Sequence, residues 1–123
     1  MPRRFLLVLF AIILAAAGCS SDDDDEGTAA VDGPTVNVTL SDTGCEPRAI
    51  TTPAGPTNFH VTNKGSAAVT EFEILQGSKI VGEVENVIPG ADRSFGLTLK
   101  AGTTYTTKCP GGSSFEAGTI QLT

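Results

Sequence analysis

From Thr35 to Thr123 apolar residues alternate with polar ones at a spacing of two, and no stripe of helical spacing interrupts them. Val36, Val38 and Leu40 take turns with Asn37 and Thr39; Phe59 and Val61 with Asn58, His60 and Thr62; Phe95, Leu97 and Leu99 with Ser94, Gly96 and Thr98. Ile120 and Leu122 close the chain in the same manner. A strand sends successive side chains to opposite faces, so this pattern specifies half-buried strands. Turn residues separate the runs at Pro53-Ala54-Gly55-Pro56, Asn63-Lys64-Gly65, Gln76-Gly77-Ser78, Pro89-Gly90, Ala101-Gly102 and Pro110-Gly111-Gly112. The spacing predicts an all-β fold: seven or eight short strands in an antiparallel Greek-key β-sandwich.

The first third of the chain has a different character. Phe5 to Ala17 carry no polar side chain, Arg3 and Arg4 precede them, and small residues lead to Cys19. The run is shorter than the ~20 residues that span a bilayer, and its flanks are those of a secretory signal. Leu14-Ala15-Ala16-Ala17-Gly18-Cys19 resembles the bacterial lipobox, which implies cleavage before Cys19 and acylation of its sulfur. Residues 1–18 are therefore expected to be a lipoprotein signal peptide, and residues 19–34 a lipidated acidic tether. The product is expected outside the cytoplasm, held to the cell membrane by lipid at Cys19. Asp22 to Asp25, Glu26 and Asp32 supply six of the 14 acids, against 8 basic residues in the whole chain. Self-repulsion and the scarcity of apolar residues predict a disordered stalk that lifts the domain off the membrane.

The net charge of −6 disfavours nucleic acid, whose phosphates need an excess of Lys and Arg. A length of 123 residues allows one small domain, residues 35–123, and excludes a multidomain enzyme. Two cysteines remain in that domain. Cys45 follows the first strand and Cys109 ends the penultimate one, just before a Pro-Gly-Gly loop. An oxidising exterior and a small core favour a disulfide between them; two thiolate metal ligands are the alternative.

Ala101-Gly102-Thr103-Thr104-Tyr105-Thr106-Thr107-Lys108-Cys109 resembles the cupredoxin pattern of Gly, Tyr and then Cys at a strand's end. A type-1 blue copper site takes two His, one Cys and usually an axial Met. His60 is the one histidine and Met1 the one methionine, so composition excludes that centre. A narrower resemblance covers nearly the whole domain. Cys45-Glu46-Pro47, Pro53-Ala54-Gly55, Val61-Thr62-Asn63, Glu71-Phe72-Glu73-Ile74-Leu75, Glu85 to Gly90 and Tyr105 to Cys109, in this order, resemble the cupredoxin-like domain of EfeO-type iron-uptake components. The resemblance implies a cupredoxin-like sandwich that binds a copper or iron ion at Cys45, Glu71 and Cys109, with Glu73, Glu83 and Glu85 as further candidates. It also implies an iron permease or a peroxidase component as partner. Full-length members continue into a helical imelysin-like domain, whereas this chain is expected to act as a stand-alone lipoprotein.

The residues themselves allow the same site. Alternation puts Glu71 and Glu73 on one strand face, and Glu83 and Glu85 on one face of the next. If a hairpin at Gln76-Gly77-Ser78 sets acids opposite acids, a cation relieves the repulsion; in other registers this is a solvated face. His60, between Phe59 and Val61, is expected on the outer face and not as a ligand. No Ser/His/Asp set and no phosphate-binding Gly loop opening a helix is present, so no enzymatic activity is expected. Two functions stay open: an anchored metal-binding protein, and a metal-free structural or protein-interaction sandwich pinned by a Cys45–Cys109 disulfide.

Overall fold

The computed structural model describes residues 29–123. The expected signal peptide, the lipid-bearing Cys19 and the acidic run up to residue 28 lie outside the described residues. Nine strands form: β1 (Thr35–Ser41), β2 (Gly44–Glu46), β3 (Ala49–Thr52), β4 (Gly55–Asn63), β5 (Phe72–Gln76), β6 (Lys79–Val84), β7 (Asp92–Leu99), β8 (Tyr105–Lys108) and β9 (Ala117–Leu122). They build a four-stranded sheet ordered β2-β1-β4-β7 and a five-stranded sheet ordered β3-β9-β8-β5-β6.

Alternation sorts the side chains as the sequence requires. Val38, Leu40, Phe59, Val61, Phe95 and Leu99 of the first sheet meet Ile50, Phe72, Ile74, Val84, Tyr105 and Ile120 of the second. At the centre, Phe59 stacks on Phe95 with ring centroids 5.2 Å apart, and Phe72 closes the cluster at 6.1 and 6.2 Å from them. Offset and tilted rings at such distances add to the stabilisation that burial itself gives.

The sandwich is not purely antiparallel. β1 pairs with β4 and β3 with β9 in parallel, while the other pairs are antiparallel. Parallel neighbours need a long connection. β2 and β3, with their turns, supply it by carrying the chain to the other sheet before β4 returns beside β1. Period-two patterning marks which residues face inward but is silent on strand direction, so it did not reveal these pairs.

Ordered contacts also begin before Thr35. The Val31 N–H donates to Asn58 Oδ1 at 2.9 Å, and Asn58 Nδ2 donates to the Val31 carbonyl at 2.7 Å and the Gly33 carbonyl at 3.2 Å. Asn58 points away from the core because Phe59 points into it, so residues 29–34 lie across the outer face of the four-stranded sheet. Gly96 makes room for them: a Cβ there would sit 2.7 Å from both the Ala29 carbonyl and the Val31 side chain. The last part of the expected tether is thus a docked arm.

One buried amide organises the loops at the end where β4 finishes. Asn63 is 1 % exposed. Its Nδ2 lies 2.8, 3.1 and 2.7 Å from the carbonyls of Ser66, Val69 and Val87. Its Oδ1 accepts from the N–H groups of Gly65 and Ser66 at 3.0 and 2.8 Å. The residue spares two loops, β4–β5 and β6–β7, from burying unpaired polar groups. Replacing it exposes that debt: Asn63→Ala is expected to lower unfolding free energy by about 3 kcal/mol or more, since each stranded buried group costs about 1–3 kcal/mol. Denaturant unfolding of the two proteins measures the difference, and an unchanged midpoint would contradict this role.

Candidate metal centre

The β5–β6 hairpin turns on Gly77-Ser78, with Gly77 at φ 62°, where residues with a Cβ rarely settle. Pairing starts as Gln76↔Lys79 and Leu75↔Ile80, then shifts by one, so that Ile74 faces Gly82 and Glu73 faces Glu83. The shift is a β-bulge at Val81, and it decides the chemistry of the outer face. Without it, Glu73 would stand opposite glycine. With it, two carboxylates stand opposite each other, and Glu71 joins them from the same face of the preceding residues. Ligand oxygens of Glu71, Glu73 and Glu83 lie within 4.8 Å of one another.

Like charges at such range resist ionisation. Glu73 is only 8 % exposed, and Glu71 and Glu83 are half-buried. Burial is the largest cause that pushes the Glu71 carboxyl up from 4.5 to about 7; its hydrogen bond to Glu73 and the charges of Glu73, Glu85 and Glu83 add to it. Two carboxyl groups share a hydrogen bond only if one keeps its proton. Near neutral pH a proton therefore does part of what a cation would do in this group. Glu85 contributes charge but stands outside the close triad.

The two cysteines are brought together, though not with the carboxylates. Cys45 and Cys109 form a disulfide that closes a separation of 64 residues. It ties the end of β8, in the five-stranded sheet, to β2 in the four-stranded one. The loop 110–116 wraps around it: Ser113 N–H donates to the Asp42 carbonyl, Phe115 N–H to that of Thr43, and Cys109 N–H to that of Glu116. Gly44 belongs here because a Cβ would run into the Phe115 carbonyl. In this state neither Cys45 nor Cys109 offers a thiolate, so the expected Cys45–Glu71–Cys109 ligand set is not assembled. Alternation adds a second obstacle. Lys108 pairs with Glu73 on the outer face, which turns the next residue, Cys109, inward, where it is fully buried.

His60 lies on the outer face of the other sheet, as its neighbours required. Its Nε2 is 2.8 Å from Asp92 Oδ2 and its Nδ1 3.3 Å from Asn37 Oδ1.

The profile of the Cupredoxin-like domain matches residues 6–120. The chain belongs to the cupredoxin-like family. Solved members of that fold superpose on the cupredoxin-like chain at low identity. Auracyanin A, a blue copper protein of Chloroflexus aurantiacus, gives a TM-score of 0.64 at 15% identity, covering 74% of this chain and 100% of its own. An azurin of Methylomonas sp. strain J gives 0.61 at 15% identity, covering 76% and 99%. In sequence, the iron uptake system component EfeO of Yersinia pseudotuberculosis is 42% identical over 73 residues, 59% of this chain and 19% of that protein. EfeO of Escherichia coli strain K12 matches equally, at 42% over 73 residues. The cupredoxin-like domain is thus of the EfeO type, and the chain spans about a fifth of the length of these relatives.

From sequence alone Glu83 and Glu85 stand between a ligand role and a solvated face, and the structure brings Glu83 into the close group. The turn alone, counted back without a bulge, puts it out of register with Glu73. The raised Glu71 carboxyl also fixes a sign for stability. The unfolded chain releases this proton near 4.5 and the native domain only near 7, so the native state holds more protons between these values. The stabilising contribution is complete below the lower value and lost as pH rises through the upper one. The melting temperature of the metal-free protein is expected to fall between about pH 5 and about pH 8 by more than that of Glu71→Gln. Parallel thermal melts of both proteins test this, and identical pH profiles would refute it.

Proposed function

We propose that this domain binds an iron or copper ion through Glu71, Glu73 and Glu83, with Glu85 adding negative charge. The protein would do so outside the cytoplasm, on a lipid anchor at Cys19, as an accessory of an iron-uptake or metal-handling system. The observation that carries the reading is the close carboxylate triad, built by a bulge and still holding a proton near neutral pH. Carboxylates gathered without neutralisation are destabilising, and a cation turns the same arrangement into coordination. With Cys45 and Cys109 tied in a disulfide the donors are all oxygen, which suits hard cations and sets iron ahead of copper(I). The likeness to EfeO, named as an iron uptake system component, supports the same direction. An iron permease or a peroxidase component is the partner this setting supplies. The role is binding and delivery rather than catalysis.

Titration of the purified chain with iron(III), supplied as a weak complex, and with copper(II) is the direct test. About one equivalent should bind, and Glu71→Gln or Glu83→Gln should weaken binding at least about tenfold, roughly 1.4 kcal/mol. Glu85→Gln should weaken it less, and His60→Ala not at all. No uptake, or uptake that ignores Glu71 and Glu83, would overturn the proposal.

The disulfide favours a second reading, a metal-free structural or interaction sandwich. Closing a loop of 64 residues stabilises a fold by roughly 4 kcal/mol in the chain-entropy model. Under this reading Cys45→Ala/Cys109→Ala loses about that much in denaturant unfolding, and no metal binds in either redox state.

A further inference from the structure

The opposite end of the sandwich carries the opposite charge. Along β5 the chain runs from Glu73 to Gln76, about 10 Å at the usual rise per residue. There the β5–β6 turn approaches the end of β7 and the start of β8. A cavity of about 230 Å³ opens between the edge strands β6 and β7, lined by Gln76, Lys79, Val81, Leu97, Thr98, Lys100 and Tyr105. Val81 and Leu97 are half-buried against the core and give it an apolar wall. Lys79 and Lys100 are exposed, no carboxylate contributes to the lining, and neither lysine makes an ion pair among the described residues.

Tyr105 completes the set. It is 4 % exposed, and its hydroxyl accepts the Lys100 N–H at 3.0 Å. That bond fixes the ring and the turn carrying Lys100, and it engages the hydroxyl as acceptor, leaving its proton able to donate. Two ammonium groups, an amide from Gln76 and the hydroxyls of Thr98 and Tyr105 thus surround an apolar wall. Donors and cations around a small cavity suit an anion, and the apolar wall suits one with a carbon skeleton. The volume falls below the ~300–1,000 Å³ of pockets for drug-sized ligands, so the occupant is small.

We propose that this cleft between β6 and β7 binds a small organic di- or tricarboxylate, with Lys79 and Lys100 pairing with its carboxylates and Val81 and Leu97 packing on its carbons. The site is separate from the carboxylate triad and does not depend on metal binding there.

The test is a titration of the isotope-labelled, metal-free full chain with succinate and with citrate, followed by amide chemical shifts at constant ionic strength. Succinate is included because it chelates metals poorly, so its binding cannot be relayed through a contaminating ion. Saturable shifts at Gln76, Lys79, Lys100 and Tyr105, weakened at least about tenfold in Lys79→Gln/Lys100→Gln, would support the site. Both lysines are exposed, so the double variant keeps the fold, which its unchanged spectrum elsewhere verifies. Tyr105→Phe should weaken binding less. Linear, non-saturating shifts would overturn the proposal. So would inorganic phosphate matching succinate in place and strength, because a site without preference for the carbon skeleton is only a cationic surface.

Discussion

The pleat of a single strand governs how this molecule divides its chemistry. β5 and β8 run side by side, and each turns alternate residues to opposite faces of the five-stranded sheet. Phe72 and Cys109 point into the core, while Glu73 and Lys108 point out. Cys109 follows directly on Lys108, the cross-strand partner of Glu73, yet sulfur and carboxylate are turned to opposite faces of the sheet. The disulfide can therefore staple the two sheets without disturbing the acids, and the acids can gather without access to the sulfurs. The mixed ligand set that the family resemblance implied resolves into an interior cross-link and an outward-facing group of carboxylates.

The bulge at Val81 gives the outer face its meaning. A two-residue turn would propagate a plain register along the hairpin and set glycine opposite Glu73. One extra residue in β6 instead brings Glu83 across from it. Bulges of this kind re-aim side chains and recur beside functional sites. Here the result is a cluster with an electrostatic cost when empty of protons and cations alike. The buried Asn63 and the disulfide supply the rigidity that holds the same end of the sandwich against that repulsion.

Much of the fold was legible before any coordinates. The alternation at Val36–Leu40, Phe59–Val61 and Phe95–Leu99 named the inward residues correctly, and the Gly and Pro turns separated the strands. Strand direction was not legible, because β1 beside β4 and β3 beside β9 depend on where the chain crosses between sheets, and side-chain period carries no such information. Of the site, Glu71 and Glu73 were recognisable from their shared face and family motif. Glu83 depended on a bulge, and no residue type marks Val81 as one. The Cys45–Cys109 cross-link was one of two readings that spacing allowed. The docked arm was missed because Asp32, Gly33 and their acidic neighbours suggest a solvated segment, while the bonds that hold it come from a single Asn58 far along the chain.

That arm has a geometric outcome. It crosses the back of the molecule, over Asn58 and Gly96, whereas the glutamates occupy the front, beyond the other sheet. A pull exerted through residues 29–34 is thus borne by the four-stranded sheet. The glutamates are thereby kept apart from the arm by the whole depth of the core, so that neither surface intrudes on the other.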